Sequence, residues 1–248
     1  MKKLLLISTL ILSNSLIAAP NIPASEQLGP LEITEVSSAE YKALNGPGLN
    51  GGLDGGFAGG EEPSKPTVGD RVETTGKVIQ AARDMVALGE AIYELVKKGR
   101  PTNVTEYAPI SVVPRDPETK EHVDPFELEG FSIPVEKNFT AKIKNGAGKE
   151  VVSFTYRVIY SYGGSFNGTG KYLTGVNIIP GSVKTSYGWD FNASMKLSGI
   201  MNHGSKLDPV AGIMITVKYQ MNSWSNAFER NDTMHITGRG ELKSYVVQ

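Results

Sequence analysis

No cysteine occurs in the 248 residues, which excludes disulfides, thiolate zinc sites, iron–sulfur clusters and a cysteine nucleophile. Histidine is scarce. His122, His203 and His235 stand far apart and none shows the His-Glu-x-x-His spacing that puts two imidazoles on one helical face, so no metal ligand is assigned. Positive charge is not in excess: 25 Lys and Arg against 26 Asp and Glu leave a net charge of -1, too little to neutralise the phosphates of a nucleic acid. No Gly-x-Ser-x-Gly elbow is present to expose a serine nucleophile. The carboxylates Asp116, Glu118, Glu121, Asp124, Glu127 and Glu129 gather in one Pro-containing loop, as solvated charge does, without a calcium-loop pattern. We therefore expect no catalytic residue, no metal and no cofactor.

What is present begins with an export signal. Met1-Lys2-Lys3 is cationic, Leu4 to Leu12 is almost wholly apolar, and small residues lead to Ala18-Ala19-Pro20. This reads as a secretory signal peptide over residues 1–18, because the apolar stretch falls short of the roughly 20 residues a membrane crossing needs. The expected destination is the cell surface or the extracellular space, with the periplasm as the nearer alternative. Residues 19–66 then read as a flexible Gly-rich segment: Gly46 to Gly60 holds glycine at a density that is costly in backbone entropy to order. Leu49, Leu53 and Phe57 recur every fourth residue within it and are candidate anchors onto a partner. No Gly-Lys-Ser/Thr ending makes a phosphate cradle of these glycines.

Residues 67–99 read as one long amphipathic α-helix. Val78, Ala82, Met85, Gly89, Ile92 and Val96 alternate spacings of four and three, the pattern of an apolar helical seam. Lys97-Lys98 followed by Gly99 and Pro101 resembles a helix C-terminus. Ala82 and Gly89 on that seam would admit close approach of the protein's own sheet, another subunit or a lipid surface.

From residue 103 onward the chain reads as β. Val152, Phe154, Tyr156, Val158, Tyr160 and Tyr162 fall on one face of a strand, and Ser153, Thr155, Arg157 and Ser161 on the other. Asn145-Gly146-Ala147-Gly148 is a turn signal, Gly163 to Gly170 reads as a loop, and Ile213, Ile215, Val217 and Tyr219 again share a face. Further strands are expected over Tyr172 to Ile179, Val183 to Leu197 and Met234 to Val247. The fold class is thus mainly β: an antiparallel β-sandwich over 103–248, preceded by the helix and the tether. About seven strands of uneven length, ending without a terminal aromatic residue, argue against a membrane β-barrel. Five Asn-x-Ser/Thr triplets, at Asn103, Asn138, Asn167, Asn192 and Asn231, are what Thr-rich strands generate.

Two groups of aromatics stand beside glycines in expected turns: Tyr162 with Phe166, and Tyr187 with Trp189. Loop-tip rings suit a sugar, a lipid headgroup or a protein. The layout is similar to that of pore-forming cytolysins, a likeness of arrangement without a shared motif, and such likeness does not license function. The expected function is that of an exported, non-enzymatic protein acting through protein contacts, as a self-assembling or surface subunit. A membrane-binding protein using residues 67–98 and the loop aromatics is one alternative, and a carbohydrate-binding module is another. A protein partner or a second copy is thus the expected partner, a membrane surface or glycan is compatible, and nucleic acid is excluded.

Overall fold

A computed structural model describes residues 27–46, 78–82, 84–224 and 227–247. The chain folds as two antiparallel sheets packed face to face. The first holds seven strands in the order β1 (Leu28–Val36), β7 (Val135–Asn145), β8 (Glu150–Phe166), β9 (Thr169–Thr185), β6 (Ile110–Pro114), β3 (Met85–Leu88) and β2 (Val78–Ala82). The second holds six, in the order β13 (Leu242–Val247), β12 (Ala227–Thr237), β11 (Ala211–Asn222), β10 (Asp190–Asn202), β4 (Ile92–Lys97) and β5 (Arg100–Pro101). The mainly β sandwich read from the sequence is therefore correct.

The helix expected over 67–99 is not. Residues 78–97 form β2, β3 and β4 instead, and residues 67–77 lie outside the described region. Met85, Val86, Ala87 and Leu88 are all buried, because β3 lies inside a sheet with the opposing sheet beneath it. A strand covered on both sides loses its period-two alternation, and its run of apolar residues can then be fitted to a helical seam. Gly89 has φ +126, and a Cβ there would meet the Pro109 carbonyl oxygen at 2.6 Å, so this glycine serves an extended close approach. Lys98 and Gly99 have φ of 49 and 68 and join Lys97 to its partner Arg100. Two positive-φ residues between paired strands make a type I′ hairpin. The left-handed glycine that can end a helix ends a strand here.

Within the segment 19–66 only residues 27–46 are described, and these are ordered. Leu28–Val36 pairs antiparallel with β7, Ile33 opposite Ala141. Ser38–Asn45 then forms α1, the one helix of at least two turns among the described residues. Ser37 starts it with a capping box: the Ser37 hydroxyl accepts from the Glu40 backbone N–H while the Glu40 carboxylate accepts from the Ser37 N–H. The helix lies over the outer face of the first sheet. Tyr41 is buried, its ring 5.0 Å beneath the Arg157 guanidinium, and the Asn45 side-chain oxygen accepts from Thr155 Oγ1 and the Ser182 N–H. Gly181 makes this docking feasible, since a Cβ would come within 2.5 Å of Asn45, Thr155 and Tyr41. Residues 1–18 and the anchors Leu49, Leu53 and Phe57 lie outside the described residues.

Details of the β half also differ from expectation, the strand expected over Val183 to Leu197 being interrupted at residues 186–189 between β9 and β10. The loop expected at Gly163–Gly170 is strand almost throughout: β8 and β9 continue until Phe166 faces Thr169 across Asn167-Gly168, whose φ values of 51 and 73 make another type I′ turn. Pro180-Gly181 does not break the chain either, and β9 runs on to Thr185. The turn expected at Asn145–Gly148 is present, the Gly148 N–H donating to the Asn145 carbonyl at 2.8 Å.

The core lies between the sheets. Phe154 of β8 meets Phe191 of β10 at 5.7 Å and Tyr219 of β11 at 6.5 Å, ring centre to ring centre. Tyr93 of β4 crosses the interior to donate its hydroxyl hydrogen to Asn177 Oδ1 at 2.7 Å and to accept from the Ile178 N–H at 2.9 Å. The strand assignment of 78–97 makes a sharp contrast within the expected seam, Met85 being 1% exposed and Ile92 58%. Met85→Asp buries an unpaired charge and should cost at least about 3 kcal/mol, while Ile92→Asp should stay within about 0.5 kcal/mol of the parent. Urea unfolding of the two variants measures both; equal losses would contradict the strand register.

Candidate functional site

The residues singled out from the sequence do not form one site. Val78 and Ile92 are exposed on different strands, Met85 and Val96 are core, and Gly89 lies between β3 and β4. The seam is thus not a contact face. Tyr162 and Phe166 are half-buried against the core near the β8–β9 turn. Tyr187 and Trp189 lie in the β9–β10 turn at the other end of β9. The structure therefore places the two aromatic groups toward opposite ends of that strand, Phe166 facing Thr169 and Tyr162 facing Leu173 while Tyr187 and Trp189 follow Thr185.

The end carrying Tyr187 is aromatic. Asp190 pairs with Asn222, and Asn222 with Ala227, so the β9–β10 and β11–β12 turns lie side by side. Trp189 packs on Phe228 with ring centres 6.2 Å apart. Tyr187 and Trp224 project beyond them, 106% and 86% exposed. The Lys98-Gly99 turn borders this patch: the Lys98 N–H donates to Asn192 Oδ1, and the Gly99 N–H to the Phe191 carbonyl. That hairpin presents Lys97, Lys98 and Arg100, with Lys97 3.4 Å from Glu94. Trp224 and Phe228 were not singled out from the sequence, because nothing local distinguishes them from strand aromatics.

The opposite end carries two clefts separated by the β10–β11 loop. Asn202 organises that loop, its side-chain oxygen accepting from the Gly204 and Val210 N–H groups at 2.8 and 2.9 Å. The loop is tied to β9 by the Lys171 N–H donating to the Pro209 carbonyl and the Gly170 N–H to Asp208 Oδ1. On one side lies a cleft of about 430 Å³ lined by Arg115, Asp116, Lys120, Phe166, Tyr172 and Leu207 among others. Burial, with Asp208 and Asp84 adding to it, pushes the Tyr172 phenol up to about 12, so it offers a hydrogen-bond donor at neutral pH rather than a base. The Asp116 carboxylate accepts from the Thr119 and Glu118 N–H groups, which hold its pKa below the usual value. Part of the acidic loop thus serves local turn geometry.

On the other side, a cavity of about 310 Å³ is lined by His203, His235, Thr237, Arg239, Glu241, Lys243 and Tyr245. His203 and His235 are 32 positions apart in sequence, yet their Nε2 atoms stand 2.9 Å apart. Burial foremost, then the charges of His203 and Lys243, lowers the His235 pKa. Sequence reading missed this pair. The available signal was Gly212, a glycine inside a β-branched strand, which marks a close approach. Among the described residues, no group of three or more His, Cys, Asp or Glu converges.

Among the described residues, one carboxyl group lies in the core itself. Asp232 of β12 is fully buried and accepts from Ser244 Oγ at 2.7 Å and from the Tyr156 hydroxyl at 3.3 Å, which in turn accepts from Tyr219 at 3.4 Å. Desolvation raises the Asp232 pKa, and the hydroxyl donors oppose it only in part.

Compared with protein-family models, curated proteins and solved structures, the chain matches none. No helix among the described residues is long and apolar enough to cross a membrane.

Asp232 gives the fold a pH signature. A raised folded-state pKa means that, between the ordinary aspartate value and the raised one, the native state holds a proton the unfolded chain has released. Its contribution to stability is therefore fully present on the acid side, falls as pH rises through that window, and is constant above it. Asp232→Asn cannot titrate. Urea unfolding from about pH 4 to about pH 8 should show the parent losing stability relative to Asp232→Asn as pH rises. A pH-independent difference would show that the carboxyl is not desolvated.

Proposed function

We propose that the protein is an exported, non-enzymatic β-sandwich that acts by protein contact, docking through the end that carries Tyr187, Trp189 and Trp224, in the first instance onto further copies of itself. Export rests on the N-terminal residues, where a cationic start precedes a short apolar run and Ala18-Ala19. One observation supports the contact reading above all. Both tryptophans of the chain gather at one end of the sandwich, with Tyr187 fully in water beside them. Tyr and Trp are the residues enriched at the energetic centres of interfaces, and burying two such rings is a large gain left unrealised in the isolated chain. The expected helix seam no longer contributes, since Met85 and Val96 are interior.

A membrane surface is the second reading, favoured by the Lys97, Lys98 and Arg100 hairpin beside the same rings. Interfacial aromatics with adjacent cations suit an anionic lipid face.

Light scattering on the chain after size exclusion, with tryptophan emission followed across a dilution series, tests the proposal. Self-docking should give a concentration-dependent mass and emission that shifts to the red on dilution, as Trp224 returns to water. Tyr187→Ser with Trp224→Ser should abolish both while leaving the unfolding free energy within about 0.5 kcal/mol per site, because both side chains are exposed. A strictly monomeric protein with invariant emission overturns self-docking; a blue shift on adding anionic vesicles would then establish the membrane reading.

A further inference from the structure

We infer that His203 and His235 form a two-imidazole site for a borderline transition-metal dication, copper(II) foremost. The geometry comes first. Their Nε2 atoms are 2.9 Å apart, with ring centres at 4.7 Å and planes inclined by 50°. Two rings joined end to end by such a contact would have their centres farther apart, so at least one nitrogen is addressed well off its lone-pair axis. The contact is of hydrogen-bond length, its donor set by the tautomer, but the rings are inclined toward a shared point rather than aligned end to end, as two ligands of one ion would be. Two nitrogens bound at ~2.0 Å at right angles to one metal stand ~2.8 Å apart, whereas tetrahedral ligation as at zinc spreads them to ~3.3 Å. The observed separation fits neighbouring corners of a tetragonal ion, the geometry copper(II) prefers, and copper(II) also heads the affinity order for nitrogen donors.

The pair is also supported from beneath. Gly212 lies under both rings, and a Cβ there would come within 2.5 Å of the His203 ring and 3.0 Å of His235 Nε2. His203 is held from the backbone, its N–H donating to the Val210 carbonyl at 2.7 Å, in the loop that Asn202 organises. His235 lies near the C-terminal end of β12, paired with Met214 of β11 and Lys243 of β13. Glu241 also lines the cavity, but with Arg239 and Lys243 beside it and no carboxylate cluster, the site does not suit a hard cation such as calcium. The remaining coordination positions fall to solvent, so the ion would stay open to an added ligand.

The probe is copper(II) itself, titrated into the full chain prepared without a histidine tag and followed by calorimetry and electron paramagnetic resonance. The expected result is one ion per chain, with hyperfine structure from two nitrogens and weaker binding of zinc. His203→Ala and His235→Ala should each weaken binding by at least about 100-fold, beyond the ~10–100-fold that changes outside the ligand shell produce. His122→Ala, remote on the Arg115–Glu129 loop, should leave it unchanged. Circular dichroism checks the fold of each variant, and if His235→Ala fails to fold, His203→Ala, on the exposed loop, decides alone. Absence of stoichiometric binding overturns the inference, as does binding that survives loss of the loop histidine.

Discussion

The cluster in which Phe154 meets Phe191 at a tilt and Tyr219 edge-on is the contact on which the rest of the sandwich depends. These rings come from β8, β10 and β11, central strands of the two sheets, and each is fully buried. Aromatic side chains bury more area than any others, so whichever strand faces carry them must turn inward. Once Phe154 is fixed inward, period two fixes Val152, Tyr156, Val158 and Tyr160 with it. The opposite face of β8, with Ser153, Thr155 and Arg157, is then left outside the sandwich, where α1 covers it. The position of the helix thus follows from the orientation of one strand.

Polar side chains cross between the sheets at several places, the Tyr160 hydroxyl of β8 donating to the Gly240 carbonyl among them. Tyr93 reaches from β4 to β9, and Tyr156 from β8 to Asp232 on β12. Each sets the slide of one sheet over the other, because a hydrogen bond inside the core tolerates less displacement than apolar packing does. The cost is an aspartate held where charge is disfavoured. Burial raises its pKa, and the Ser244 and Tyr156 hydroxyls and the Thr233 N–H compensate only in part. Register and stability pull in opposite directions at this residue, as they do where a buried polar group specifies one arrangement among several apolar ones.

The legible parts of the fold are those where one face is solvated or a turn needs glycine. Val152 to Tyr162 announces itself by alternation, and Asn145-Gly146 by its turn chemistry. Met85 to Leu88 does not, because burial on both sides erases the alternation and leaves a pattern that a helix fits equally well. Lys98-Gly99 misleads for a related reason: the left-handed conformation is common to helix ends and hairpins, and only the pairing partner, Arg100, distinguishes them. Trp189 and Tyr187 were visible as candidates, while Trp224 joins them only through the β10–β11 and β11–β12 registers. The histidine pair is of the same kind. No local spacing relates residues 203 and 235; the register of β11 with β12 and a loop folded back by Asn202 do.

The two ends of the sandwich are physically independent, and this bears on how they can act together. Gly212, under the imidazoles, and Asn222, two residues before Trp224, lie on the same strand, about 33 Å apart over ten residue steps. β11 is central and paired along its length on both sides, so it offers no second discrete arrangement by which one end could switch the other. An ion at the histidines would leave the aromatic end unchanged in shape. A protein or lipid docked on the aromatic end would leave the histidines facing away from it, toward solvent. Any coupling between them must therefore arise by concentration: when many copies are held by their aromatic ends, their histidine ends are brought to a common surface, and weak sites gain from being many.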